Sequence, residues 1–203
     1  MTLLGVPFGV QRLIVALKLE GLNASPELHK ELLEKARGLI APTRSRLVDV
    51  RIGRRRIEID TLTSNPESVV SALSSIAPIE YTREVEALGS ALEGELVKHA
   101  VELFNDERFW ETHETLERVW REKSGEEREV LSGLIKLAAA YVNLQKGKAA
   151  SYFRLLEAAL NHLARWRGVK YYSIDIEALR VEIRSMLEAG SPRFITMSVC
   201  DTF

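Results

Sequence analysis

The stretch FNDERFWETHETLERVW, residues 104–120, decides the fold of the C-terminal half of the chain. At about 100° per residue, its large apolar side chains fall on one arc, which is typical of an amphipathic helix. His113 and Glu117 lie one turn apart at the edge of that arc, between Trp110 and Trp120. The sequence therefore predicts two titratable side chains at the seam between core and surface. The opposite face, predicted to meet solvent, carries Glu111, Thr115 and Arg118.

Helical patterns continue on both sides of this stretch. The spacing predicts five helices, near residues 83–104, 107–122, 124–146, 148–167 and 175–189. The short loops between them favour an antiparallel bundle. The third helix is apolar nearly all round, which is typical of a central helix. Gly133 in that helix indicates the close approach of a neighbour, with the helix of residues 107–122 as the candidate.

The N-terminal half has a different pattern, in which strands and helices alternate. Ser25-Pro26 and Asn65-Pro66 each place an N-cap before a proline at the first helical position. Two alternating strands flank Gly53 as a hairpin. The order β-α-β-β-α-β predicts an α+β chain, with a ferredoxin-like antiparallel sheet domain followed by an all-α antiparallel helical bundle.

These patterns divide the chain into three regions. We expect a ferredoxin-like domain over residues 1–82, a helical bundle over 83–190 and a tail over 191–203. The segment RFITMSV, residues 193–199, has the character of a strand. It is predicted to pair with an edge of the N-terminal sheet.

Composition excludes several classes of function. The chain has 203 residues and a formal net charge of −1, which gives no global attraction to nucleic acid or anionic membranes. No apolar run reaches the roughly 18–20 residues of a membrane span, so no membrane partner is expected. The single cysteine forms no intrachain disulfide and fits a cytoplasmic protein. Two glutamines and five asparagines against 28% charged residues are typical of a thermophile.

One hypothesis for the 104–120 helix is a divalent metal site. The run His113-Glu114-Thr115-Leu116-Glu117 has the spacing of the HExxH zinc motif, with a glutamate as its second ligand. Imidazole and carboxylate one turn apart can bind one metal ion. A third ligand would come from another helix, with His99, Glu157 and His162 as candidates. Glu114 would then be the general base of a metal-assisted hydrolysis.

A second hypothesis is a cleft that binds a small ligand or a protein partner without a metal. His113 and Glu117 would be its polar centre. The surrounding positions would be Asn105, Phe109, Trp110 and Trp120. In a third, purely structural interpretation, His113 bonds a backbone carbonyl or Glu117 and orients the helix. The oligomeric state stays open, with a homo-oligomer among the alternatives.

The predicted hairpin carries a local basic cluster. It contains Arg44, Arg46, Arg51, Arg54, Arg55 and Arg56. Such a cluster fits phosphate contacts on nucleic acid, and Arg51, Arg54, Arg55 and Arg56 would make them. It also fits a solvated edge hairpin whose charges prevent strand pairing. Because the strands lack an aromatic run for base stacking, nucleic acid is the less favoured interpretation.

Two blocks of the sequence resemble a known family. Phe104-Asn105, Phe109-Trp110, His113-Glu114, Glu117 and Trp120, followed by LSGLIKLAAAYVNLQKGKAAS, resemble the signature of domain of unknown function 309 over roughly residues 95–165. The resemblance implies an all-helical region. Members are often labelled predicted metal-dependent hydrolases, which implies a site at His113, Glu114 and Glu117. The chain departs from the family pattern at Glu107, Thr112 and Ser132, where the family usually has glycine, alanine and glutamine.

Overall fold

A computed structural model describes residues 9–18, 21–85 and 92–198. The chain divides into two compact units. One comprises Met1–Leu88 with Gln145–Gly147, and the other comprises Gly89–Leu144 with Lys148–Phe203. Each unit has its own apolar core. The predicted division at residues 82 and 83 stays a prediction.

In the described residues, the first unit is a four-stranded sheet with two helices. Its strands are β1 (Gln11–Lys18), β2 (Arg46–Ile52), β3 (Arg56–Thr63) and β4 (Ile79–Glu84). Its helices are α1 (Pro26–Ile40) and α2 (Pro66–Leu73), with a 3-10 turn at Ala41–Thr43. The strand order is β2-β3-β1-β4, and every neighbouring pair is antiparallel. The mixed α+β class predicted from the sequence is confirmed.

Local signals fix the starts of both helices in this unit. The side chain of Ser25 accepts a hydrogen bond from the backbone nitrogen of Leu28 at 3.1 Å. Asn65 accepts one from Ser68 at 3.2 Å. Both predicted N-caps are therefore confirmed, and each satisfies a backbone donor that the helix leaves unpaired. The apolar stripes of the two helices pack with alternate residues of β1 in one core. Its members include Leu13, Val15 and Leu17 of β1, Leu32 and Ala36 of α1, and Val69 and Leu73 of α2.

The second unit contains five helices within residues 92–198. They are α3 (Glu93–Asn105), α4 (Phe109–Trp120), α5 (Gly125–Gln145), α6 (Ala149–Leu163) and α7 (Ile176–Ala189). Two short strands, β5 (Lys170–Tyr171) and β6 (Ile174–Asp175), form an antiparallel ribbon before α7. The prediction of an all-α region missed this ribbon, since two residues are too few to show a strand period.

The helix α5 lies at the centre of the second core. Its Leu134, Leu137 and Tyr141 are fully buried. A Cβ on Gly133 would lie 2.6 Å from Cγ of Leu163 in α6. The close approach predicted for this glycine is therefore present, but the neighbour is α6 and not α4. No helix in the described residues, including the 21-residue α5, is long and apolar enough to cross a bilayer.

The segment that follows α7 differs from its prediction. Residues 193–198 form no strand. The Asn105 side chain donates to the Met197 carbonyl at 3.0 Å and accepts from the Met197 nitrogen at 2.7 Å. The hydroxyl of Tyr141 donates to the Arg193 carbonyl at 2.9 Å. These helix side chains satisfy backbone groups that a sheet would otherwise pair. Residues 193–198, here called the strap, therefore contact α3 and α5 although their sequence has the character of a strand.

The contact at Gly133 makes a prediction about stability. Gly133→Ala places a methyl group against Leu163, including its backbone nitrogen at 3.1 Å. We expect overpacking to cost about 1–3 kcal/mol, partly offset by about 1 kcal/mol of helix propensity. Urea unfolding of the purified chain would measure the net loss. Gly94→Ala is the control in the same unit, because its Cβ would lie 3.4 Å from the Tyr172 ring. Equal midpoints for the two variants would contradict the close approach.

Candidate functional site

A tight turn between α3 and α4 positions α4, which carries His113 and Glu117. The backbone nitrogen of Glu107 donates to Phe104, and that of Arg108 donates to Leu103 at 2.9 Å. This is the hydrogen-bond pattern of a Schellman motif, which places its C′ residue in the left-handed region. Glu107 occupies that position with φ of 64°. Glycine is the residue that adopts this conformation without strain.

The helix α4 is more buried than its sequence pattern predicted. Glu111 and Thr115, which we expected to face solvent, are only 7% and 3% exposed. The Arg108 guanidinium donates two hydrogen bonds to the Glu111 carboxylate, at 3.1 and 2.8 Å. A buried carboxylate requires such a partner. Periodicity alone cannot show this pair, because charged positions count as solvent-facing.

His113 and Glu117 lie side by side on α4. Nε2 of His113 is 4.0 Å from Oε1 of Glu117, and their side chains are 22% and 41% exposed. The rings of Trp110 and His113 are stacked, with centroids 5.5 Å apart and planes within 5°. Nδ1 of His113 and Nε1 of Trp110 are buried, without hydrogen-bond partners in the described part of the chain. The pair is thus half-buried, with one ring face covered by an indole.

The candidate third metal ligands do not converge on His113. Across residues 9–18, 21–85 and 92–198, no group of three or more His, Cys, Asp or Glu side chains could hold a metal ion. His99 lies 3.6 Å from Glu102 on its own helix. Glu157 is exposed, and His162 contacts Glu129. Glu114, the predicted general base, is half-buried.

Asn105 and Phe109, predicted to line a cleft, support the fold instead. Both polar groups of the Asn105 amide are used by Met197. Phe109 is 1% exposed, and its ring stacks on Tyr141 with centroids 4.8 Å apart. The Phe194 ring also packs against it, with centroids 6.0 Å apart. Neither Asn105 nor Phe109 is available to a ligand in this arrangement.

A groove lies between α4, α5 and α6. Its cavity has a volume of about 300 Å³. It is lined by Glu117 and Trp120 of α4, by Ser132, Ile135 and Lys136 of α5, and by His162 of α6. Two of the predicted site residues thus meet three side chains that the sequence interpretation did not consider for a ligand site.

Trp120 is held firmly at the wall of this groove. Its indole nitrogen donates to Oγ of Ser132 at 2.8 Å, and Ser132 donates to the Arg128 carbonyl at 2.7 Å. The Arg128 guanidinium lies 3.5 Å from the Trp120 ring centroid. This cation–π contact fixes the indole on one side.

His162 is oriented by a carboxylate that the sequence interpretation missed. Nδ1 of His162 lies 2.8 Å from Oε2 of Glu129, and Arg165 donates to the same oxygen at 2.9 Å. The hydrogen bond from His162, followed by that from Arg165, lowers the pKa of Glu129 below its usual value of 4.5. Glu129, Ser132 and Lys136 are spaced by three and four along α5, so a polar stripe on an otherwise apolar helix was the available signal.

The basic hairpin is largely neutralised. Arg51 is 2% exposed and donates to Asp60 at 2.6 Å. Arg56 is 8% exposed, with Nη2 3.2 Å from Glu80. Of the four arginines predicted to contact phosphate, only Arg54 and Arg55 are exposed. The cluster expected at the surface is therefore two ion-paired arginines within the sheet and two at the turn.

The family model described as Domain of unknown function (DUF309) matches residues 97–155. A solved structure of a conserved hypothetical protein from Thermus thermophilus is 32% identical, covering 45% of this chain and 94% of that one, with a TM-score of 0.37. The chain belongs to the DUF309 family. No curated protein matches it.

The DUF309 match contains most of the groove but not all of it. Glu117, Trp120, Ser132, Ile135 and Lys136 lie inside residues 97–155, and His162 lies beyond them. Family membership supplies no activity. The chemistry of the groove therefore has to be argued from its own side chains.

The conformation of Glu107 makes a second prediction. Glu107→Gly and Glu107→Ala both remove the carboxylate, but only glycine adopts a φ of 64° without strain. We expect the glycine variant to be more stable than the alanine variant by about 1–2 kcal/mol. Urea midpoints of the two variants measure the difference. If alanine is as stable as glycine, the left-handed turn before α4 is wrong.

The pair of Glu129 and His162 makes a third prediction. A carboxylate whose folded pKa is lowered stabilises the protein above its unfolded pKa, and this contribution is lost as pH falls through the folded value. We expect Glu129→Gln to reduce stability at pH 7, with a smaller reduction at pH 3. Denaturation at both pH values measures this. Glu157→Gln, which changes an exposed carboxylate on the helix of His162, should show little effect at either. A Glu129→Gln penalty that grows at pH 3 would contradict the pairing.

Proposed function

We propose that the helical unit binds a small ligand in the groove between α4, α5 and α6. The observation that carries this proposal is the convergence of an aromatic wall and polar side chains from three helices on one cavity of about 300 Å³. Ligand sites in proteins are typically concave, with apolar walls and a few placed polar groups. This volume is at the small end of their usual range of about 300–1,000 Å³.

Two features support a preformed site. Trp120 is fixed by Ser132 on its edge and by Arg128 over its ring. His162 is fixed by Glu129. Side chains that are already held lose little conformational entropy when a ligand binds, so preorganisation favours affinity.

In this proposal His113 adjoins the site without being its centre. It contacts Glu117, which lines the groove, while Trp110 packs on the far side of the imidazole. His113 would therefore position Glu117 and shield it from solvent. The proposal needs no metal ion and no nucleic acid.

For the first unit we propose a ferredoxin-like domain, with the division from the bundle near residues 82 and 83. The order β-α-β-β-α-β and the antiparallel strand order β2-β3-β1-β4 support this assignment.

Ligand binding can be tested by NMR on the full-length isotope-labelled chain. A panel of single-ring carboxylic acids, amides and amines would be added at millimolar concentration. We expect at least one compound to shift the backbone resonances of Ser132, Ile135 and Lys136. Ile135→Phe should abolish these shifts, because the added ring occupies the groove.

Val181→Phe is the matched control, since it adds the same bulk at a position on α7 that is 54% exposed. It should leave the shifts unchanged. If the panel perturbs no groove residue, or Ile135→Phe binds as well as the unmodified chain, the groove is not a ligand site.

A further inference from the structure

We infer that the ligand of this groove is a small organic anion, with its charged group against Lys136 and its apolar body against Trp120 and Ile135. This inference rests on the proposed function. Around the groove, the carboxylates of Glu117 and Glu129 have partners, whereas the ammonium group of Lys136 has none among the described residues. The inference follows from this difference.

The carboxylate that lines the groove lies between an arginine and a histidine. Glu117 lies 3.7 Å from Nη2 of Arg121 through one oxygen and 4.0 Å from Nε2 of His113 through the other. Arg121 is 69% exposed, so it can follow the carboxylate without losing its hydration. The negative charge of Glu117 is therefore offset by Arg121.

The carboxylate behind the groove is neutralised as well. Glu129 accepts hydrogen bonds from His162 at 2.8 Å and from Arg165 at 2.9 Å. Because an ionised carboxylate only accepts, Nδ1 of His162 carries the hydrogen in this contact. Nε2 has no hydrogen-bond partner among the described residues.

Lys136 is the charge without a counterpart. It is half-buried and lines the cavity one turn beyond Ser132 on α5. It makes no hydrogen bond or ion pair with residues 9–18, 21–85 or 92–198. A partly desolvated ammonium gains most from an anion that enters its cavity. The charge balance thus selects a carboxylate or phosphate group.

The apolar side chains that line the groove indicate what the uncharged part of the ligand would be. Trp120 and Ile135 present apolar surface. One side of the indole is covered by Arg128, so a ligand meets only the surface left open. A cavity of 300 Å³ equals the liquid volume of about ten water molecules, which suits one ring with its acidic group.

Binding of three matched probes to the full-length chain tests this assignment. Benzoate and phenyl phosphate carry the anion, and benzamide has the same ring without the charge. We expect at least one anion to bind in the groove about tenfold or more tightly than benzamide, the value of one charge-assisted hydrogen bond. Lys136→Gln should remove that advantage. Lys98→Gln, which changes an exposed lysine on α3, should preserve it.

The outcomes separate this inference from the proposed function. If benzamide binds as well as both anions, or Lys136→Gln leaves the preference intact, the groove is a ligand site but the anion assignment is wrong. If no probe shifts the groove resonances and Ile135→Phe changes nothing, the proposed function fails together with the inference. Preference for phenyl phosphate over benzoate identifies a phosphate ester as the better class of ligand.

Discussion

The close contact between Gly133 on α5 and Leu163 on α6 is the constraint on which the candidate site depends. No side chain larger than hydrogen fits between the two helices at this point. Ser132 and His162 are the immediate chain neighbours of these two residues, so the contact also sets the separation of two groove walls. The close packing of α5 and α6 therefore shapes the candidate site, because it brings the Glu129–His162 pair near the Trp120 indole. At Gly133 the close backbone approach therefore outweighs the cost in helix propensity.

Local chemistry made much of the fold predictable. Ser25 and Asn65 bond backbone groups three residues away, so their role as N-caps can be predicted from the local sequence alone. The same holds for the apolar stripes of α1 and α2. What periodicity could not supply is the identity of the neighbour, since a stripe shows which face is buried and not which helix covers it. For this reason the predicted partner of Gly133 was wrong. The two-residue strands were missed because they are too short to show a period.

Charged residues explain the remaining differences. Arg51 and Glu111 look solvent-facing in the sequence, yet both are nearly inaccessible. Asp60 accepts from Arg51 on the other strand of the hairpin at 2.6 Å and from Arg12 on β1, which is distant in sequence, at 2.7 Å. Buried ions are tolerated only with such partners, and the partner is a property of the folded chain. The candidate site shows the same limit, because Glu117 and Trp120 were found from their helix, whereas Lys136 and Glu129 needed the packing of α5 against its neighbours.

The strap of residues 193–198 has a consequence for how the DUF309 region can be handled. The core that surrounds α5 also contains Ile176, Ile183, Met186 and Met197, all of which lie after the matched residues 97–155. A fragment cut at the ends of the match would lose these side chains and the backbone partners of Asn105 and Tyr141. The segment that is recognisable by similarity is therefore shorter than the segment that can bury its own interior, and expression boundaries should follow the latter.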